Sequence, residues 1–215
     1  MLKGIIFDFD GVVVDSNQAK SDAFYSLYVK YGEDIAKKVI NHHERNEGIS
    51  RFEKIKLYHK KFLKKDISSE ELSQLLNKFA NIVYKKVCES EFVPGIKEIL
   101  PELRKKYRLF ISTGTPTFEI NNILINKNIN DYFSRVYGSP EKKEEHIKKI
   151  ISEFNYTPNE LIFIGDSMAD YKAAEEYDIS FILRLHNKNI KLFSDFNVLS
   201  VNNFKLPNKA IEKIL

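Results

Sequence analysis

The chain opens on a short apolar run, Leu2-Lys3-Gly4-Ile5-Ile6-Phe7, that ends in the polar cluster Asp8-Phe9-Asp10-Gly11. Strand-forming residues closed by a glycine read as a buried β-strand. From residue 17 to about 91 the pattern changes. Apolar positions recur at helical spacing over 19–31, 34–45, 51–63 and 69–88, and no run there reads as a strand. Ser68 with Glu71 three residues on is a helix-start signature for the last of these. After the turn Phe92-Val93-Pro94-Gly95 the two patterns alternate. Helices are expected over 96–106, 118–127, 141–154 and 168–177, and strands over 109–112, 135–137, 161–164 and 179–183. An edge strand near 196–201 and a last helix at 208–215 complete the expectation. Such alternation predicts a parallel sheet with helices on both faces. The first strand has the same buried character and belongs most simply to that sheet, so the helical stretch is an insertion after strand one.

Composition changes this picture little. At 215 residues, with 43% hydrophobic and 30% charged, the chain is long enough for one or two globular domains with a proper core. The net charge of +4 is spread over lysine pairs such as Lys37-Lys38, Lys60-Lys61 and Lys148-Lys149, each among apolar residues at helical spacing. These read as solvated helix faces, and nucleic-acid binding is not expected. One cysteine, Cys88, excludes a disulfide scaffold and fits a reducing compartment. No apolar run reaches the length of a membrane span and no signal-peptide pattern opens the chain, so a cytoplasmic protein is expected.

The chemistry sits at the strand ends. In open parallel sheets ligands bind beyond the carboxyl ends of the strands. Strand one ends in Asp8-Phe9-Asp10, where a period of two starts both carboxylates toward one side. The strand at 161–164 runs into Gly165-Asp166-Ser167-Met168-Ala169-Asp170, and the strand at 109–111 delivers Ser112, Thr113 and Gly114. Up to four carboxylates would then converge, an arrangement that repels unless a cation sits among them. Oxygen ligands with room for water and phosphate suit Mg2+. Each aspartate alone has a plainer reading as a turn or helix-cap residue; two such clusters at matching strand ends weaken it. The five histidines match no metal spacing, and adjacent His42 and His43 diverge on a helix.

Asp8-Phe9-Asp10-Gly11-Val12-Val13-Val14-Asp15-Ser16 closely resembles the first motif of the haloacid dehalogenase-like (HAD) phosphohydrolases. Leu109-Phe110-Ile111-Ser112-Thr113-Gly114 is similar to their second motif, and Gly165-Asp166-Ser167-Met168-Ala169-Asp170 to their fourth. Phe92-Val93-Pro94-Gly95 resembles the branch holding phosphoglycolate phosphatases and β-phosphoglucomutases. The resemblance implies an α/β fold with a Rossmann-like parallel sheet, residues 1–16 and 92–215, and a small all-helical cap domain, residues 17–91, hinged near Asp15-Ser16 and Glu91-Phe92.

It also implies a mechanism. Asp8 would be the nucleophile that forms an aspartyl-phosphate, and Asp10 the general acid and base. Asp8, Asp166, Asp170 and the Asp10 carbonyl would hold Mg2+. Ser112, with N–H groups of Thr113 or Gly114, would bind the phosphoryl oxygens. The family's lysine is expected at Lys143 within Gly138-Ser139-Pro140-Glu141-Lys142-Lys143, with Lys142 as the alternative. Asn46-Glu47-Gly48-Ile49-Ser50-Arg51 resembles a cap loop that enters the active site, where Arg51 would bind a substrate anion; the plainer reading makes Ser50 a helix cap and Arg51 solvated. The expected substrate is a small phosphorylated metabolite, a sugar phosphate or a phosphoglycolate-like ester, handled by a monomer or weak homo-oligomer. A phosphomutase and a non-catalytic binding protein on the same fold stand as alternatives.

Overall fold

The computed structural model describes residues 1–206. The helix expected at 208–215 lies outside them. Six parallel strands run β1 (Gly4–Phe7), β2 (Arg108–Pro116), β3 (Phe133–Ser139), β4 (Leu161–Gly165), β5 (Ser180–Arg184) and β6 (Leu199–Val201), in the order β3-β2-β1-β4-β5-β6. The order reverses at β1, which pairs with β2 on one side and β4 on the other through Phe7–Ile111 and Phe7–Ile164. One residue further along, Asp8, Ser112 and Gly165 therefore stand abreast at this switch point.

Strand alternation divides the core in two. Ile5, Phe7, Leu109, Ile111 and Ile164 face one side, with α5 (Ile96–Lys106) and α6 (Thr117–Asn126). Ile6, Phe110 and Phe163 face the other, against Ile147 and Ile150 of α7 (Lys143–Phe154) and Ala173 and Ala174 of α8 (Met168–Glu176). Both faces of the central strands are fully buried, which explains their unbroken apolar sequence.

The chain between β1 and α5 folds as α1 (Asn17–Tyr28), α2 (Glu33–Arg45), α3 (Arg51–Phe62) and α4 (Ser69–Glu89). Their core is aromatic. Phe24 lies 4.6 Å from Phe79 and 4.7 Å from the His43 ring, and Tyr28 lies 5.6 Å from Tyr58. The Ser50 and Ser68 hydroxyls cap α3 and α4 by accepting from Glu53 N and Glu71 N, so that much of the plainer reading of Ser50 holds. The two chain crossings into and out of the insert lie side by side. Val14 bridges Phe92, Asp15 N donates to Glu91 O at 2.9 Å, and Val93 N donates to Val13 O at 3.0 Å. Lys127, at the end of α6, donates to the carbonyls of Cys88 and Ser90 and ties down the end of α4.

Candidate active site

Asp8 leaves β1 on the Ile6 face and meets α7, where Lys143 Nζ stands 2.9 Å from its carboxylate. Lys143 also pairs with Asp170, and all three side chains are buried. Lys142 is exposed at the helix start, so of the two candidate lysines the structure brings only Lys143 to the carboxylates. Asp170 serves α8 as well: its Oδ2 accepts from Ser167 N at 3.0 Å and from the Ser167 hydroxyl at 2.6 Å, a reciprocal capping box.

Asp8, Asp166 and Asp170 each offer a carboxylate oxygen within 4.8 Å of the others. Burial, with the charges of Asp170 and Asp166 added, pushes Asp8 up to about 8 against the pull of Lys143. Burial raises Asp170 too. Lys143 responds in the opposite sense: despite burial, Asp170 and Asp8 hold its ammonium above the ordinary lysine range. One ammonium among three buried carboxylates leaves excess negative charge, which fits a hard divalent cation such as Mg2+.

Asp8 and Asp10 line one cavity, but their carboxylates are held by different partners. The chain bends at Phe9 and turns at Gly11, whose φ of +79° is a left-handed conformation, so the strand period ends before Asp10. The Asp10 carboxylate instead accepts from the Ser16 hydroxyl at 2.5 Å, the Thr115 hydroxyl at 3.1 Å and the Lys20 ammonium. Burial works against its charge, but Lys20 and the two hydroxyls outweigh it and hold Asp10 below the usual carboxylate range.

Ser112 and Arg51 stand at the site, each with a protein partner of its own. Ser112 falls on the Phe110 face by the two-residue strand period, fully buried, and its hydroxyl meets His146 Nδ1 of α7 at 2.9 Å. The cavity beside Asp8 and Asp10 is lined by Thr113, Gly114 and Thr115. Arg51 lines that cavity too, but its guanidinium forms a two-pronged pair with Glu119 of α6 and sits 5.2 Å from the Phe79 ring centre. From the cavity wall it ties the insert to the core.

The insert presses a loop onto the strand ends. A Cβ on Gly48, whose φ is +85°, would meet the Ser167 hydroxyl at 2.5 Å, and a Cβ on Gly114 would meet the Gly48 carbonyl at 2.6 Å. Only glycine permits this approach. Asn17 Nδ2 donates to Asp166 at 2.9 Å and to Glu47 at 3.0 Å, linking core and loop.

Several residues here carried no signal in the sequence. Lys20 and Asn17 are ordinary polar positions at the start of a helix. Lys54 and His43 read as members of a charged helix and a histidine pair, yet both are buried in the same cavity. His186, dismissed for lack of metal spacing, lies 3.0 Å from Asp166 because the loop after β5 returns to the strand end.

This is a parallel sheet with a carboxylate- and lysine-lined switch point and a helical insert packed over it, the architecture of a hydrolase of the α/β class. The chain belongs to the haloacid dehalogenase-like hydrolase family, whose model matches residues 5–184. Among its relatives, the phosphoglycolate phosphatase of Photorhabdus laumondii is 28% identical over 181 residues, 81% of this chain and 76% of that protein. The phosphorylated carbohydrates phosphatase of Thermotoga maritima is 24% identical over 184 residues, covering 83% and 82%. A crystal structure of β-phosphoglucomutase from Clostridium difficile aligns with a TM-score of 0.79 at 22% identity, over all of this chain and 97% of that one, and shares the fold. Among the described residues no helix is long and apolar enough to cross a membrane.

Proposed function

We propose that the protein is a phosphatase that hydrolyses a small organic phosphate ester through an aspartyl-phosphate. The observation that carries this reading is the buried Asp8–Lys143–Asp170 chain of ion pairs beside a second, separately held aspartate, Asp10. Asp8 is the nucleophile. Its carboxylate oxygen attacks phosphorus as the bond to the leaving oxygen breaks, and Lys143 offsets the negative charge that gathers there. The leaving oxygen takes a proton from the Lys20 ammonium relayed through Asp10, whose hydrogen bonds to Ser16 and Thr115 hold the carboxylate, and the proton that Asp10 later takes from water returns Lys20 to its charged form. In the second half Asp10 accepts a proton from the water that attacks the aspartyl-phosphate, which releases phosphate and restores Asp8. Ser112, abreast of Asp8, and Thr113, with the N–H groups beside them, bind the phosphoryl oxygens in this reading.

Asp8, Asp166 and Asp170 fit a Mg2+ ion, with the Asp10 carbonyl as a further ligand. When bound it would supply positive charge at the phosphoryl oxygens. In this reading residues 17–91 form the cap domain, residues 1–16 and 92–215 the core, and closure at the paired crossings excludes water from the cavity.

The test is phosphate release from a panel of sugar phosphates, phosphoglycolate, nucleotides and p-nitrophenyl phosphate, with Mg2+ and with EDTA, in wild type and Asp8→Asn. Metal-dependent release that disappears in Asp8→Asn is the expected result. Isomerisation of a hexose phosphate without net release would make the protein a mutase, and absence of both reactions would overturn the enzymatic reading.

A further inference from the structure

Three cationic side chains of the insert line the cavity, and two are neutralised. Lys20 pairs with Asp10 and Arg51 with Glu119. Lys54, on α3, is 2% exposed and forms no ion pair among the described residues. Its ammonium donates to His43 Nδ1 at 2.8 Å and lies 5.9 Å from the Phe24 ring centre. Accepting at Nδ1 leaves the neutral imidazole with its proton on Nε2, and that atom is buried with no hydrogen-bond partner. Glu47, the acidic side chain that bears on Lys54 most, accepts from Asn17 Nδ2 at its Oε2.

A buried cation without a counter-ion and a buried donor without an acceptor each destabilise a fold unless something completes them. Burial pushes Lys54 down to about 7, with Lys20 adding to the effect. The His43 imidazole is held well below its ordinary value by burial and by Lys54, so it stays neutral. Phe24, Phe79, Val83, Val87 and Ile123 give the cavity an apolar side, next to polar Asn17, Glu47 and Thr115. An anionic oxygen on a short hydrocarbon tail would complete the Lys54 ammonium and the His43 N–H while its tail lies along the apolar side.

We infer that Lys54 and His43 form an anion subsite for the leaving group, so that the substrate is a phosphate ester whose alcohol carries a second anion, a carboxylate or a second phosphate. This rests on the phosphatase reading for the word substrate, but the subsite itself does not depend on turnover. The phosphoryl end then meets Asp8 while the far end completes the unpaired ammonium, and an ester without that second charge leaves Lys54 uncompensated.

Binding of non-hydrolysable phosphonates separates the possibilities. 3-Phosphonopropionate and propylphosphonate differ only in a carboxylate standing for the terminal methyl, and ethane-1,2-bisphosphonate replaces that carboxylate with a second phosphonate. Titration calorimetry on the wild type with Mg2+ should give at least about tenfold tighter binding for one of the doubly anionic ligands than for propylphosphonate, and which one it is names the anion. The preference should vanish in Lys54→Met, survive in part in Lys54→Arg, and shrink in His43→Gln. Lys54→Met should melt no lower than wild type without ligand, because it removes an uncompensated buried charge. Equal binding of all three ligands by wild type, or a preference that persists in Lys54→Met, would overturn the inference. So would a marked fall in melting temperature for Lys54→Met together with no ligand preference, which would make Lys54 a structural partner of Glu47. Failure of the phosphatase reading looks different: no ester releases phosphate, while the binding preference stands.

Discussion

Ser112 and Thr113 are neighbours with the same chemistry, and one alternation of the strand separates their fates. Ser112 points to α7 and His146, whereas Thr113 lines the cavity. Ser112→Ala should lower turnover and also lower stability by about 1 kcal/mol, because Ser112 stands abreast of Asp8 and His146 Nδ1 loses its partner. Thr113→Val should lower kcat/KM at least about tenfold with little loss of stability. Steady-state kinetics and urea unfolding on the same two variants check both outcomes. His146 carries a pH dependence as well. Burial, helped by Lys143, lowers it to about 4 from its ordinary 6.5. A histidine depressed in the fold contributes stability that is present above pH 6.5 and is lost as pH falls toward 4, since the unfolded chain takes up the proton first. Unfolding free energy measured across that window should fall less steeply in His146→Asn than in wild type.

At the scale of elements, the insert is held to the core by few contacts of high specificity. The Arg51–Glu119 pair joins α3 to α6, and Lys127 ties the end of α4. Arg51 is 11% exposed at its side chain, so breaking the pair leaves a mostly buried charge alone. Glu119→Gln should loosen closure, seen as faster amide exchange in the 46–50 loop and a raised KM, with the core strands unchanged. Helix boundaries depend on local caps that the sequence displays openly, Ser68 with Glu71 and Ser167 with Asp170. Ser68→Ala should lower stability by about 1 kcal/mol in chemical denaturation, with no effect on any catalytic constant.

The whole molecule concentrates buried negative charge at one point of the sheet, and that charge should couple metal binding to folding. Mg2+ at about a hundred times its dissociation constant should add about 2.7 kcal/mol of stability, reversed by EDTA. Asp166→Asn should abolish most of the shift in melting temperature, because it removes one of the three convergent carboxylates. A shift of equal size in that variant would place the cation elsewhere.

The fold was written in the chain at short range. Apolar runs of four or five residues closed by polar ones mark strands buried on both faces, and helical spacing marks the rest, so the parallel sheet and the helical insertion follow from periodicity alone. Asp8 and Asp166 were visible for the same reason: each sits one residue past a strand, where an open parallel sheet exposes its ends. Lys143 was the expected lysine by resemblance, and the phase of α7, which turns it and not Lys142 inward, gives the physical reason. Ser112 against Thr113 needed the face that β2 presents to α7. Lys20, Lys54, His43 and the Arg51–Glu119 pair were beyond reach, because their meaning comes from elements separated by many residues and brought together only when the insert closes on the sheet. Local hydrophobic period determines what each segment becomes. Which polar side chains meet across the cavity, and which cation is left without a partner there, is decided by packing between segments, and only the tertiary structure contains it.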